Sequence, residues 1–242
     1  MPTSPKTVVI IQARMGSTRL PGKIAKPIGG MPLLGRTIRR LQAAGELVSG
    51  GMKVMVATST APQDDATERL CREFGVDCFH GSELDVLARY VAASADLDER
   101  DTVCRATADN GVYCPVHCAK IVMEHRQREA DYTCIEPLSY VVTEVMQVSA
   151  LREMARRATS PYCREHVTPY FRQHPEEFKV VRLPPTWEGL RPDILLTLDT
   201  PEDFKKITWL YQCMAGKEDT FTLDDVYKLW DSNPPFLRDC KK

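Results

Sequence analysis

Strand-like and helix-like segments alternate through the first half of this chain, and that alternation constrains the fold more than any other feature. Residues 7–12 contain the apolar run Val8-Val9-Ile10-Ile11, too short for a signal-peptide core and read here as a first buried strand. Residues 32–44 have helical spacing, with Leu34, Ile38 and Leu41 on one side and Arg36, Arg39 and Arg40 on the other. Further strands are expected at 53–58, 76–79 and 102–107, and further helices at 64–74, 84–95 and 116–128. Gly75 is a suitable residue to follow a helix end. This order predicts an α/β fold: three layers, with a mainly parallel sheet carrying helices on both faces.

Beyond residue 130 the rhythm breaks. Strands are expected at 131–133, 139–147, 179–183 and 194–197. Helices are expected at 149–157, 164–174, 201–211 and 223–230, the last with Thr222 as its N-cap. The length fits one domain spanning 1–242, with 130–195 as an irregular subregion.

Charge and cysteine usage exclude some classes. Lys+Arg is 32 and Asp+Glu 33, so a basic nucleic-acid binder is not expected. No apolar run approaches the roughly 18 residues a membrane span needs. Nine cysteines, without a Cys-x-x-Cys, suggest reduced thiols and a cytoplasmic location. Cys114, His117 and Cys118 lack a fourth zinc ligand and read as the start of a helix.

In an open parallel sheet, ligands bind beyond the carboxyl ends of the strands. The first strand ends there in Gln12-Ala13-Arg14-Met15-Gly16-Ser17-Thr18-Arg19-Leu20-Pro21-Gly22-Lys23. Gly16-Ser17-Thr18 would let backbone N–H groups approach phosphate oxygens. Arg14, Arg19 and Lys23 suit a polyanion such as a nucleoside triphosphate, although a solvated basic loop would look similar. It is not a Walker A loop, because five residues separate Gly16 from Gly22 and Ile24 follows Lys23. The dinucleotide fingerprint Gly-x-Gly-x-x-Gly is also missing. Asp109 and Asp199 each follow an expected strand, which would aim both into one crevice where carboxylates could hold magnesium. A turn role for Asp109 and a helix-capping role for Asp199 are the alternatives.

The stretch 11–23 resembles the opening of the cytidylyltransferases that make CMP-activated sugar acids, in the branch named after the spore coat polysaccharide biosynthesis protein F. Five further blocks continue the resemblance: Ala57-Thr58-Ser59 with Asp64-Asp65; Gly81-Ser82-Glu83-x-Asp85-Val86-Leu87-x-Arg89-Tyr90; Arg105-x-Thr107-Ala108-Asp109; Arg164-Glu165-His166-Val167-Thr168-Pro169-Tyr170; and residues 196–203. It implies a Rossmann-like fold of the nucleotide-diphospho-sugar transferase type. It also implies magnesium-dependent transfer from CTP to an anionic sugar or related acceptor, releasing pyrophosphate, in surface polysaccharide or glycoconjugate synthesis. The nucleotide would meet Gln12, Ala13, Arg14, Gly16, Ser17, Thr18, Arg19, Lys23, Ser82 and Asp85. Asp109 and Asp199 would bind the metal and, with Lys23 and Arg14, form the catalytic set. Arg105, Glu144 and His166 would face the acceptor, although Arg105 could equally pair with an internal carboxylate and Ser82 could cap a helix. A homodimer using 130–195 is implied, with neither nucleic acid nor membrane as partner. The branch pattern is broken at Gly111, at Cys114 and at 194–196, near the expected acceptor side. The alternatives are another NTP with a sugar phosphate, or a catalytically weak nucleotide-binding homologue.

Overall fold

The computed structural model describes residues 5–17 and 19–232. The first half contains strands β1 (Thr7–Gln12), β2 (Pro27–Ile28), β3 (Met31–Pro32), β4 (Lys53–Ser59), β5 (Asp77–Gly81) and β6 (Thr102–Thr107). Among them lie helices α1 (Leu33–Glu46), α2 (Asp65–Glu73), α3 (Val86–Ala93) and α4 (Pro115–Gln127). The second half adds β7 (Tyr132–Ile135), β8 (Glu144–Gln147), α5 (Val148–Arg157), α6 (Pro161–His166), α7 (Pro169–Gln173), β9 (Val180–Leu183), α8 (Pro201–Cys213) and α9 (Leu223–Asp231).

Seven strands form one sheet in the order β5-β4-β1-β6-β8-β7-β9. The first four are mutually parallel, β8 is antiparallel to β6 and β7, and β9 is parallel to β7. Alternation along β1 feeds two cores. Val9 and Ile11 pack with Leu34, Ile38 and Leu41 of α1 and Ile121 and Val122 of α4. Val8 and Ile10 pack with Leu87 and Tyr90 of α3, Leu151 of α5 and Phe171 of α7. The expected three-layer, mainly parallel architecture is therefore present. No helix among the described residues is long and apolar enough to cross a membrane.

Four local expectations are corrected. First, residues 194–197 form no strand. Both edges of β6 are already occupied, by β1 and β8, and the incoming segment is tied instead to the turn beyond β6: Leu198 N donates to Asp109 O at 3.1 Å. Second, the strand expected over 139–147 is confined to Glu144–Gln147, and Val141 O accepts from Cys114 N at the start of α4 (2.8 Å). Third, the helix expected over 164–174 is two helices, interrupted where Val167 adopts φ 69°. Fourth, the side of α1 expected to carry Arg36, Arg39 and Arg40 is not uniformly exposed: Arg36 and Arg40 are buried and only Arg39 is exposed. Arg40 donates to the carbonyls of Tyr113 (2.6 Å), Glu218 (2.8 Å) and Phe221 (2.7 Å), and its guanidinium covers the Phe221 ring. The hairpin β2–β3 was not apparent from the sequence. Gly29 and Gly30 turn it with φ of 57° and 81°, a pair of left-handed residues that glycine supplies cheaply.

Candidate active site

Strand β1 carries the basic loop to the carboxyl edge of the sheet. Asp64, buried just before α2, fixes its path: it accepts from Met15 N at 2.6 Å and from the Ser59 hydroxyl. Within the loop, Ser17 N and Gly22 N both donate to Met15 O, at 2.9 and 3.2 Å. Gly22 needs its φ of 65° to turn Lys23 inward. The N–H groups of Arg14 and Gly16 make no hydrogen bond among the described residues.

Lys23 is the centre of the arrangement. Its Nζ donates to Asp109 Oδ2, Asp199 Oδ1 and Leu198 O, each at 3.1 Å. The Lys23 side chain is 11% exposed, against 38% for Asp109 and 28% for Asp199. The carboxylates thus face the cleft from either side of a sheltered ammonium. Arg19 Nη2 adds a 3.0 Å ion pair to Asp199. Neither alternative role claims these two side chains. Asn110, not Asp109, braces the turn by donating to Thr107 Oγ1 (2.9 Å) and contacting the Tyr113 hydroxyl (3.2 Å). Thr200 and Asp203, not Asp199, form the capping box of α8.

Lys23, Arg19, Asp109 and Asp199 line a cleft of about 1230 Å³. Gln12, Ala13, Arg14, Gly16, Ser17, Arg19 and Lys23 bound it on one side, and Asp85, Arg105, Asp109, Glu144, His166 and Asp199 also border it. Thr18 lies outside the described residues. Ser82 is not on the cleft wall, and it does not cap α3 either: its Oγ accepts from the N–H of Asp85, the N-cap residue, at 3.0 Å. Asp85 caps α3 through Ala88 N (2.9 Å) and accepts from Arg164 Nε and Nη2 (2.9 and 2.5 Å), pinning α6 beside α3. Arg105 does meet an internal carboxylate, Glu144, at 2.5 Å. Burial pushes the Glu144 carboxyl up, but Arg105, the Tyr132 hydroxyl and Arg172 outweigh this and leave it below its ordinary range. His166 is exposed, with its ring packed against Tyr162 at a centroid distance of 4.6 Å.

Sequence reasoning missed Arg172 and gave Asp64 no role; only the Asp64-Asp65 acidic pair signalled the latter. The sequence departures at 111 and 114 do not border the cleft. A Cβ at Gly111 would lie 2.6 Å from Leu33 Cδ1, so glycine there serves packing. Cys114 is buried with its Sγ 3.1 Å from His117 Nδ1, whereas Cys118 Sγ turns to Val141 O. All eight cysteines among the described residues are free thiols.

The sequence profile of the family described as Cytidylyltransferase matches residues 8–221. The chain belongs to the cytidylyltransferase family. This cytidylyltransferase is 34% identical over 228 residues to the spore coat polysaccharide biosynthesis protein SpsF of Bacillus subtilis (strain 168), covering 93% of this chain and 94% of that protein. A solved cytidylyltransferase from Leptospira borgpetersenii serovar Hardjo-bovis (strain JB197) superposes with a TM-score of 0.84 at 28% identity, covering 96% of this chain and 97% of that one. The fold is also that of a CMP:2-keto-3-deoxy-manno-octonic acid synthetase solved with CTP. There the TM-score is 0.65 at 18% identity, over 86% of this chain and 99% of that one. The chain is therefore an enzyme of nucleotidyl transfer with the nucleotide-sugar transferase fold.

Proposed function

We propose that this cytidylyltransferase joins CTP to the oxygen of an anionic sugar or related acceptor, in surface polysaccharide or glycoconjugate synthesis. The bond from the α-phosphorus to the bridging oxygen breaks as the acceptor hydroxyl oxygen forms the new phosphorus–oxygen bond, its proton passing to solvent, and pyrophosphate leaves. The observation carrying this reading is the convergence of Asp109, Asp199 and Lys23 at the end of the basic loop.

In this reading the chain mainly positions and neutralises. Lys23, Arg14 and Arg19 take the triphosphate and the leaving pyrophosphate. The N–H groups of Arg14 and Gly16 face phosphate oxygens, and Gln12, Ala13, Ser17, Thr18 and Asp85 complete the nucleotide side. Magnesium fits the donor set: Asp109 Oδ1 and Asp199 Oδ2 are hard oxygens with no hydrogen bond among the described residues, on side chains open to the cleft. Bound there, it would neutralise charge on the α-phosphate and the leaving group. Arg105, Glu144 and His166 bound the acceptor end. The exposed rings of Tyr140 and Tyr162 and the side chain of Leu195 suit the region 130–195 to a homodimer contact as well as to acceptor binding.

Pyrophosphate release from each of CTP, UTP, GTP and ATP, with magnesium and a panel of acidic sugars and sugar phosphates, tests the reading. CTP with an acidic sugar should give the fastest release. Release only with another NTP and a sugar phosphate would replace it.

A further inference from the structure

Away from the cleft, helix α2 and strand β5 bring two thiols, an imidazole and a carboxylate together. Alternation along β5 puts Cys78 and His80 on one face of the strand. Glu68 and Cys71, three residues apart on α2, share the helix side that meets them. The Cys71 and Cys78 thiols are hydrogen-bonded to each other. Cys78 Sγ lies 4.0 Å from His80 Nε2, which is 3.7 Å from Glu68 Oε2. None of these residues borders the cleft.

The tautomer of His80 follows from its other nitrogen. Nδ1 is 3.0 Å from Ser59 O, and a carbonyl only accepts, so Nδ1 carries the proton. In the neutral ring Nε2 is left as an acceptor facing the Cys78 thiol, and Glu68 is placed to stabilise the imidazolium once Nε2 is protonated. The two sulfurs differ. Cys71 is buried near the end of α2, whereas Cys78 and His80 are part-exposed. The hydrogen bond from Cys71 holds the Cys78 thiol below its ordinary range although burial opposes it; the same bond, together with burial, holds Cys71 above its own. A thiolate within reach of solvent, beside a thiol that keeps its proton, is the arrangement most open to reversible oxidation. Cys114 also faces an imidazole, that of His117, but is fully buried.

We infer that Cys71 and Cys78 are a peroxide-reactive dithiol, with Cys78 as the attacking sulfur, Cys71 as the resolving sulfur and His80 as the base. The oxidant is a hydroperoxide, ROOH. Cys78 gives its proton to His80 Nε2, and the thiolate attacks the terminal peroxide oxygen. The sulfur–oxygen bond forms as the oxygen–oxygen bond breaks, and the departing RO⁻ takes the proton from His80 and leaves as ROH. Cys71 Sγ then attacks Cys78 Sγ, the hydroxyl leaves with the Cys71 proton as water, and a disulfide remains. The two sulfurs together lose two electrons, which the peroxide takes up.

Reduced wild-type protein, held in a metal chelator, is treated with an equimolar amount of hydrogen peroxide. Unreacted thiols are alkylated over time and the peptides mapped by mass spectrometry. The Cys71–Cys78 bridge should form at least about tenfold faster than the exposed Cys213 is oxidised, and dithiothreitol should reverse it. Cys71→Ala should stop at a Cys78 sulfenic acid captured by dimedone, and Cys78→Ala should leave Cys71 a thiol. His80→Gln should slow the bridge at least about tenfold with the Cys213 rate unchanged. Circular dichroism checks that the variants fold, and the wild-type comparison stands even where one does not. Oxidation of Cys213 ahead of the pair, survival of both thiols, a bridge to other cysteines in their place, or wild-type kinetics in a folded His80→Gln would overturn the inference.

Discussion

Replacing Lys23 by Met should move two affinities in opposite directions. The substitution keeps most of the stem and removes the ammonium lying 3.1 Å from both Asp109 and Asp199. Those carboxylate oxygens are no more than twice that distance apart. At roughly 6 Å and an effective dielectric of about 20, two like charges repel by about 3 kcal/mol. Both groups are partly solvated and Arg19 still pairs with Asp199, so about 1 kcal/mol is a realistic residue. The free protein should lose that much stability. Magnesium alone should bind about fivefold more tightly, since a cation no longer competes with the lysine and instead relieves the repulsion. CTP with magnesium present should bind about 10- to 150-fold more weakly, the worth of a hydrogen bond to a charged group at 1.5–3 kcal/mol. Calorimetry with magnesium chloride and then with CTP reads both. Magnesium binding that weakens together with CTP binding would refute the argument, because Lys23 would then be holding the site open rather than occupying it.

Three other outcomes follow from the same geometry. Asp64→Asn should loosen the loop at Met15 N and lower both stability and CTP affinity by about 1.5–3 kcal/mol; urea unfolding and CTP titration measure the two, and an intact CTP affinity would separate Asp64 from the loop. Asp109→Asn and Asp199→Asn should each nearly abolish pyrophosphate release, with the double variant little worse than either, as for residues acting as a unit; multiplicative losses would place them in separate roles. His125, buried on α4 with Nδ1 2.9 Å from Thr133 Oγ1, is lowered by burial to about 4 from 6.5. The unfolded chain therefore binds the proton first, so this contribution is complete above pH 6.5 and is lost as pH falls toward 4, by about 3 kcal/mol. Unfolding free energies of the wild type and His125→Gln across that range should converge at low pH, and parallel curves would contradict the assignment.

What the sequence disclosed and what it withheld differ in range. The strands β1, β4 and β6 announce themselves by local apolar runs, and the basic loop is contiguous, so both were legible without any tertiary knowledge. Asp109 and Asp199 were legible through their position at segment ends, even though the segment before Asp199 is no strand. The buried Arg40 was not, because its carbonyl partners lie 73 to 181 residues away and α1 alone shows only a charged position beside an apolar face. Arg172 was hidden for the same reason: its meaning depends on Glu144 and Arg105, which the antiparallel pairing of β8 with β6 places opposite one another. The family resemblance supplied an expectation that residue patterns alone left open, namely CTP in preference to other triphosphates.

A crystal structure of the wild-type protein with CTP and magnesium tests the central claim most directly. The account requires the β- and γ-phosphates beside Lys23 and the 12–23 loop, the α-phosphate and the metal between Asp109 and Asp199, and an open path from the α-phosphorus to Arg105 and Glu144. A triphosphate bound away from Lys23, or a metal that engages neither aspartate, would contradict it.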